Sequence, residues 1–162
     1  MTLERKVNRA PQTPPAKPEG PELDAWVLLV AAYHRIIRRL EQALDGHGLS
    51  LAQFEVLAHL HFDGAITQNE LAQRLLVTKG NVCGLLDRMG AAGLVERKAD
   101  PEDRRANRLV LTPRGTALLT DALPPHLALI RETMGQLSAE ELQTLHGLLA
   151  RLAGPVPECG SR

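Results

Sequence analysis

The sequence predicts a mainly α-helical fold with a small β-wing, an α+β arrangement built on a winged helix-turn-helix. Three features support this prediction: two short helices with a tight turn between residues 67 and 93, an arginine-tipped hairpin over residues 94–111, and long amphipathic helices on both sides. With 162 residues, 44% of them hydrophobic, the chain is long enough for one compact domain. Only 2% of residues are aromatic, so the core must consist mostly of Leu, Ala and Val.

The helix-turn-helix begins at a capping motif. Thr67 and Glu70 have the spacing of a capping box, in which the Thr hydroxyl accepts from a backbone N–H and the Glu side chain reaches back to the Thr N–H. This helix is predicted to end near Leu75, after which Thr78 is placed to cap a second helix that ends at Gly93. Apolar residues at i, i+3, i+4 and i+7 line one face of the second helix: Val82, Leu85, Leu86 and Met89.

The opposite face of the second helix carries small and polar residues. A Gly inside a helix costs roughly 1 kcal/mol relative to Ala, so two glycines four residues apart require a reason. Close approach to DNA is one, because a helix in the major groove presents its N-terminal turn to base edges. The alternative is an ordinary surface helix with two indifferent glycines. This face holds Gly80, Cys83, Gly84, Asp87 and Arg88, with Lys79 and Asn81 on its flanks.

A basic hairpin follows this helix. Residues 94–99 and 107–111 have the composition of strands, and the loop from Asp100 to Arg105 contains turn-forming residues and two arginines. Residues 74–114 contain nine Lys/Arg and five Asp/Glu, a net charge of +4 in a chain whose formal total is zero. Positive charge is thus concentrated where a phosphate backbone would lie. A solvated arginine-rich hairpin tip is the alternative explanation.

Amphipathic helices flank this DNA-binding lobe, which spans about residues 50–112. One is predicted over about residues 22–45, and a capping box at Ser50-Leu51-Ala52-Gln53 begins a helix that runs to about Phe62. After the wing, Thr112 begins another helix, which Pro124-Pro125 is predicted to break or kink. Ser138 caps a last helix that ends at Gly154.

The flanking helices, about residues 22–45 and 113–153, have more apolar surface than a small core needs. We therefore expect them to form the dimerisation region of a two-fold homodimer, although they could instead complete a monomer core. The domain is predicted to span residues 22–154, between a disordered Pro-rich arm at 1–21 and a flexible tail at 155–162. No stretch has the ~18–20 apolar residues of a membrane span, and we expect a cytoplasmic protein with no membrane partner.

Several segments in order resemble the multiple-antibiotic-resistance regulator (MarR) family. The similarity covers roughly residues 23–153 and rests on residues 67–72, 77–82, 85–89, 93–97, 100–105 and 111–115. Its most specific part is the run from Gly93 to Gly115, with Asp103 and Arg105 inside it. The resemblance implies a bacterial homodimeric transcription factor, usually a repressor that a small molecule or oxidation releases from its operator.

The second helix of the helix-turn-helix is the expected recognition helix. On a palindromic DNA duplex, some of its residues should contact base edges and others phosphates. Lys79, Asn81 and Cys83 should reach base edges, where Asn is suited to adenine and Lys to guanine. Thr78 and Arg88 should hold phosphates.

The wing is expected to enter the minor groove. Arg105 matches the family's minor-groove arginine, with Asp103 orienting it, whereas Arg104 would contact phosphate. The full predicted DNA-binding set is Thr67, Thr78, Lys79, Gly80, Asn81, Cys83, Gly84, Arg88, Asp103, Arg104 and Arg105.

An effector pocket is implied by the resemblance alone. In this family the pocket lies between the dimer helices and the DNA-binding lobe, and a small aromatic acid or phenol would suit it. For each polar residue proposed to line it, an ordinary surface or core role is the alternative. These residues are Tyr33, His34, Arg38, His59 and His61. His59 and His61 cannot share a helix face at a spacing of two, so we expect no metal site, and no cofactor is predicted.

Other functional classes have less support. We expect that the protein is not an enzyme, since the sequence has no Gly-rich phosphate loop, no nucleophile motif and no pair of acidic residues in a recognisable catalytic motif. Cys83 and Cys159 are too few for a disulfide framework, but a redox-responsive regulator acting through oxidation of Cys83 is one alternative. A winged-helix protein-interaction module that does not bind DNA is another. Salt discriminates the latter, because binding to DNA through several Lys/Arg weakens steeply as salt rises.

Overall fold

A computed structural model describes residues 19–75, 78–100 and 107–154, without the side chain of Lys79. The chain comprises two compact units, residues 1–35 and residues 36–162. Three predicted segments lie outside the described residues: the arm up to residue 18, the tail and the wing loop. The wing loop contains Asp103, Arg104 and Arg105. The elements are α1 (Pro21–Asp45), α2 (Leu51–Phe62), β1 (Ile66–Thr67), α3 (Gln68–Arg74), α4 (Lys79–Ala91), β2 (Val95–Ala99), β3 (Asn107–Leu111), α5 (Pro113–Met134) and α6 (Ala139–Ala153).

The predicted capping boxes at the starts of α2, α3 and α6 are confirmed. At α3, the Glu70 N–H donates to Thr67 Oγ1 over 3.2 Å, and the Thr67 N–H donates to Glu70 Oε2 over 2.6 Å. The predicted side-chain cap at α4 is wrong. Thr78 is the N-cap residue, but the Asn81 N–H donates to the Thr78 backbone carbonyl over 3.1 Å, so the hydroxyl makes no cap hydrogen bond.

The core of residues 36–162 lies between α2, α3, α4, α5 and the sheet. On α4, the predicted apolar face is confirmed, because Val82, Leu86 and Met89 are buried and Leu85 packs against them. Leu57 on α2 and Leu71 on α3 are also fully buried. α4 is therefore held by its apolar face, which leaves the other face outside the core.

The strands form an antiparallel sheet in the order β1-β3-β2. In the predicted hairpin, Val95 pairs with Leu111 and Ala99 with Asn107. β1 was not predicted, because two residues are too short for an alternating pattern. Its pairing of Ile66 with Leu109 joins the wing to the chain that enters α3.

Pro124-Pro125 was predicted to break or kink this helix, and the break is wrong, since α5 is one helix that contains both prolines. Prolines at these positions leave the carbonyls of Thr120 and Asp121 without their helical donors. Both of these residues are exposed, so water can satisfy the carbonyls. Burial of Leu119, Ala122 and His126 on the other side holds the helix together.

Apolar side chains are exposed within each of the two units. In residues 1–35, Trp26 is 62% exposed and Leu28 is 70% exposed. In residues 36–162, Leu152 of α6 is 76% exposed. Within this second unit, Arg39 of α1 contacts α5 by an ion pair of 2.8 Å to Glu132. No helix in the described ranges is both long and apolar enough to cross a membrane.

His126 gives the fold a dependence on pH. It stacks on Phe54 at 4.1 Å between ring centroids, and its buried Nδ1 has no hydrogen-bond partner among the described residues. Burial lowers the pKa of the imidazole. The folded-state pKa of His126 is thus below the unfolded value of about 6.5. Its contribution to the free energy of unfolding is therefore fully present above pH 6.5 and decreases as the pH falls below that value.

The free energy of unfolding of the wild type should fall between pH 7.5 and pH 5.5. We expect this fall to be smaller in His126→Phe. Urea unfolding at both pH values and one protomer concentration measures that loss. His61→Phe, which removes an exposed imidazole, is the matched control and should leave it unchanged. An equal loss in His126→Phe and wild type contradicts the assignment.

Candidate nucleic-acid interface

The outer face of α4 is exposed. Asn81, Cys83 and Arg88 are exposed, as are Thr78 and Gly80 at the start of the helix. Thr67, by contrast, is half-buried in β1 and engaged in its capping box. Of the predicted base-reading and phosphate-holding residues, the structure therefore places four on one accessible surface: Thr78, Asn81, Cys83 and Arg88.

The two glycines of this face are not required by internal packing. A Cβ built on Gly80 meets nothing within 4 Å, and one on Gly84 meets only Arg88 Nη1 at 3.5 Å, an ordinary contact. Neither glycine has a positive φ. Helix propensity and packing within the described chain would therefore both accept Ala at Gly80 and Gly84.

Gly84→Ala should stabilise the folded protein by up to about 1 kcal/mol and weaken its binding to specific DNA. Gly90→Ala is the control, because Gly90 is exposed at the far end of the same helix and its Cβ would meet only the Val95 carbonyl oxygen, at 3.9 Å. Thermal unfolding and a DNA titration measure the two effects. Tighter or equal DNA binding by Gly84→Ala would contradict close approach at this position.

Two side-chain contacts join the outer face of α4 to its neighbours. Gln68 Nε2, at the start of α3, donates to Cys83 Sγ over 2.9 Å. Arg97 Nη2, on β2, donates to Asp87 Oδ1 over 2.8 Å. Sequence reasoning placed Asp87 on the polar face but missed its partner, since helix periodicity carries no information about contacts between elements.

A third contact lies at the base of the wing. Asp100, which follows β2, is buried, and its Oδ2 accepts from Arg108 Nε on β3 over 2.6 Å. Arg108 Nη1 also donates to the Ala65 carbonyl over 3.1 Å. The sequence prediction counted Arg108 only as part of the positive charge of the wing.

A buried carboxylate links α2 to α3. Asp63 Oδ2 lies 3.0 Å from His59 Nδ1 and 3.0 Å from Arg74 Nε, and its side chain is only 6% exposed. The Arg74 contact has the distance of an ion pair but not the direction of a hydrogen bond. His59, a predicted effector residue, is therefore engaged within the fold.

The other predicted effector residues are largely solvent-facing. Arg38 is exposed, and His61 is exposed with its ring edge-on to Phe62 at 4.9 Å. In the unit of residues 1–35, the rings of Tyr33 and His34 lie 5.7 Å apart, and Tyr33 is 58% exposed. A surface groove of about 680 Å³ at the start of α6 has a different lining, which includes Leu137, Glu141, Thr144 and Leu148.

The family follows from comparison with known proteins. A MarR family model matches residues 47–106. The transcriptional regulator MhqR of Bacillus subtilis is 31% identical over 130 residues, which cover 80% of this chain and 90% of that protein. The chain belongs to the MarR family. As a MarR-family protein it is a DNA-binding transcriptional regulator with a winged-helix fold and not an enzyme.

Solved structures of MarR-family proteins have the same fold. A cysteine-to-serine variant of MarR from Escherichia coli, complexed with operator DNA, superposes with a TM-score of 0.74 at 30% identity, covering 81% of this chain and 94% of that one. BpsR of Bordetella bronchiseptica, whose DNA binding is regulated by 6-hydroxynicotinic acid, superposes with a TM-score of 0.71 at 29% identity, covering 80% of this chain and 98% of that one.

Proposed function

We propose that this MarR-family regulator is a homodimeric repressor that binds a palindromic operator and is released by a small aromatic or phenolic effector. The observation that carries the proposal is the outer face of α4, which is exposed, includes Asn81 and Arg88, and has two glycines that the fold itself does not need. The similarity of this chain to a MarR structure that was solved with operator DNA supports the use of α4 to contact DNA.

The DNA contacts are divided as the residue chemistry suggests. Asn81 and Lys79 read base edges, and Thr78 and Arg88 hold phosphates. Arg105, oriented by Asp103, enters the minor groove. Because the partner is chromosomal DNA, the cytoplasm is the proposed compartment.

Dimerisation is supported by exposed apolar side chains in both units. Trp26, Val27 and Leu28 of residues 1–35, and Leu148 and Leu152 of α6, are all more than half exposed. Burial of apolar area stabilises by roughly 25 cal/mol per Å², so a second copy that covers these side chains gains substantially. A two-fold dimer also presents two copies of α4 to the two halves of a palindrome.

Effector release is supported by the behaviour of BpsR, whose DNA binding responds to an aromatic acid. The proposed effector residues of this chain are Tyr33, His34, Arg38, His59 and His61. An aromatic carboxylate or phenolate suits the cationic and ring-bearing side chains in this set.

A mobility-shift assay on the DNA upstream of the protein's own gene tests the proposal. We expect a discrete complex that survives excess non-specific competitor and weakens steeply over a salt series, because phosphate contacts release counterions. Loss of all binding to competitor would contradict an operator there and favour a protein-interaction module, whose binding need not show that slope. Addition of hydroxylated aromatic acids and phenols should dissociate the complex, and persistence at every concentration would contradict these effector classes.

A further inference from the structure

An ion pair joins the two ends of the wing loop, residues 101–106. Asp100 immediately precedes the loop and Arg108 is the second residue of β3 after it. The carboxylate is nearly inaccessible, with 5% of its side chain exposed, and accepts from Arg108 Nε over 2.6 Å. Burial of a carboxylate is unfavourable unless it is paired, so the pair stabilises this arrangement of the strand ends.

The same guanidinium reaches a third segment. Arg108 Nη1 donates over 3.1 Å to the carbonyl of Ala65, the residue before β1, and Arg108 itself pairs with Thr67 in the sheet. Thr67 is in turn the N-cap of α3. The Arg108 side chain therefore links the two ends of the wing loop to the segment that enters α3. Only Arg has the rigid fork of donors that makes both contacts at once.

We propose that Asp100 and Arg108 are positioning residues that set the direction of the wing loop relative to the helix-turn-helix and so determine sequence-specific DNA binding. The inference rests on the proposed function, since it concerns how the wing reaches the DNA. Asp100 and Arg108 act through the loop they hold, whereas the arginines of that loop make the contacts. We call the contact of Asp100, Arg108 and the Ala65 carbonyl the wing clamp.

The alternative is that Arg108 is one more phosphate contact. The two explanations predict opposite signs for Asp100→Asn. If charge alone matters, removal of a negative charge strengthens DNA binding or leaves it unchanged. If the wing clamp positions the loop, the same change weakens specific binding although it makes the protein more positive.

The test uses full-length protein and a site that the wild type selects from a random-sequence DNA pool. We expect Asp100→Asn to bind that site about tenfold more weakly at fixed salt, with unchanged or slightly tighter binding to a scrambled duplex. Asp121→Asn is the matched control, since it removes an exposed carboxylate on α5. It should leave the ratio of specific to non-specific affinity within about twofold of wild type.

Arg108→Lys and the double variant separate positioning from loss of folding. Arg108→Lys keeps the charge but not the fork, and should weaken specific binding in the same direction. Addition of Asp100→Asn to Arg108→Lys should weaken specific binding by less than the sum of the two single changes, because both act on the same ion pair. Active fractions from stoichiometric titration correct each affinity for unfolded protein. Equal or tighter specific binding by Asp100→Asn overturns the proposal.

Amide hydrogen exchange tests the wing clamp independently of DNA. In Asp100→Asn and Arg108→Lys, the amides of Ile66 and Leu109, which pair across β1 and β3, should exchange several-fold faster than in wild type. Unchanged exchange in both variants overturns the wing clamp. If the wild type selects no DNA sequence, the proposed function fails, and hydrogen exchange still decides whether the clamp exists.

Discussion

Replacement of Gly115 by alanine is expected to destabilise the folded protein by about 3 kcal/mol or more. Gly115 is buried in the first turn of α5, and a Cβ built on it would overlap the carbonyl oxygen of Leu94 and lie 3.1 Å from its carbonyl carbon. The overlapped group is backbone, so no side-chain rotation relieves it. The segment between α4 and β2 would have to move away from α5.

That segment is held by Thr112. The Thr112 N–H donates to the Leu94 carbonyl over 3.1 Å, and the Thr112 hydroxyl donates to the Gly93 carbonyl over 2.6 Å while accepting from the Gly115 N–H over 3.0 Å. Displacement of Leu94 would break these hydrogen bonds. Because the same contacts join α5 to the end of the recognition helix, Gly115→Ala should disturb the mounting of α4 as well as lower stability.

Thermal and urea unfolding at one protomer concentration measure the effect, which corresponds to a fall in melting temperature of roughly 6–12 °C. Gly84→Ala is the matched control, since its Cβ would meet only the end of a flexible side chain. An alanine in that helix should be neutral or stabilising. Equal stabilities of Gly115→Ala and wild type would contradict the close approach of α5 to Leu94.

Arg105→Ala is expected to weaken operator binding by about 1–3 kcal/mol, roughly 5- to 150-fold. Arg105 lies in the wing loop outside the described residues, and its role is proposed from the family resemblance and from the +4 charge of residues 74–114. A guanidinium in a narrow minor groove gains from the enhanced negative potential there. The loss should therefore be greatest on sites with A/T-rich flanks, where that groove is narrow.

Arg104→Ala is the comparison, because it removes the same charge from the neighbouring position. A phosphate contact carries no sequence information, so Arg104→Ala should weaken specific and non-specific binding alike and reduce the salt slope by about one. Titrations of both variants at matched salt, on sites with A/T-rich and G/C-rich flanks, measure the difference. Unchanged operator affinity of Arg105→Ala would remove Arg105 from the proposed interface.

The features that sequence analysis predicted correctly are local ones. The capping boxes at Ser50, Thr67 and Ser138 depend on residues three apart, and the buried face of α4 depends on a period of 3.6 residues. These are properties of one segment and its own backbone. The exposed face of α4 followed from the same periodicity.

The errors concern competition between a local preference and the rest of the fold. Pro124 and Pro125 oppose a helix locally, yet α5 continues through them because Leu119, Ala122 and His126 are buried around them. Thr78 has the right residue type for a cap, but its own carbonyl takes the Asn81 N–H.

The sequence by itself determined the helix starts, the wing hairpin and the face of α4 that points away from the core, since each depends on neighbours along the chain. Only the tertiary structure decided which charges are engaged. Arg97 pairs with Asp87, Arg74 with Asp63, and Arg108 with both Asp100 and the Ala65 carbonyl. These partners meet because strands and helices pack together, and Arg108 is 43 residues from Ala65 along the chain. A count of basic residues therefore locates the wing, but packing decides which arginines hold it in place.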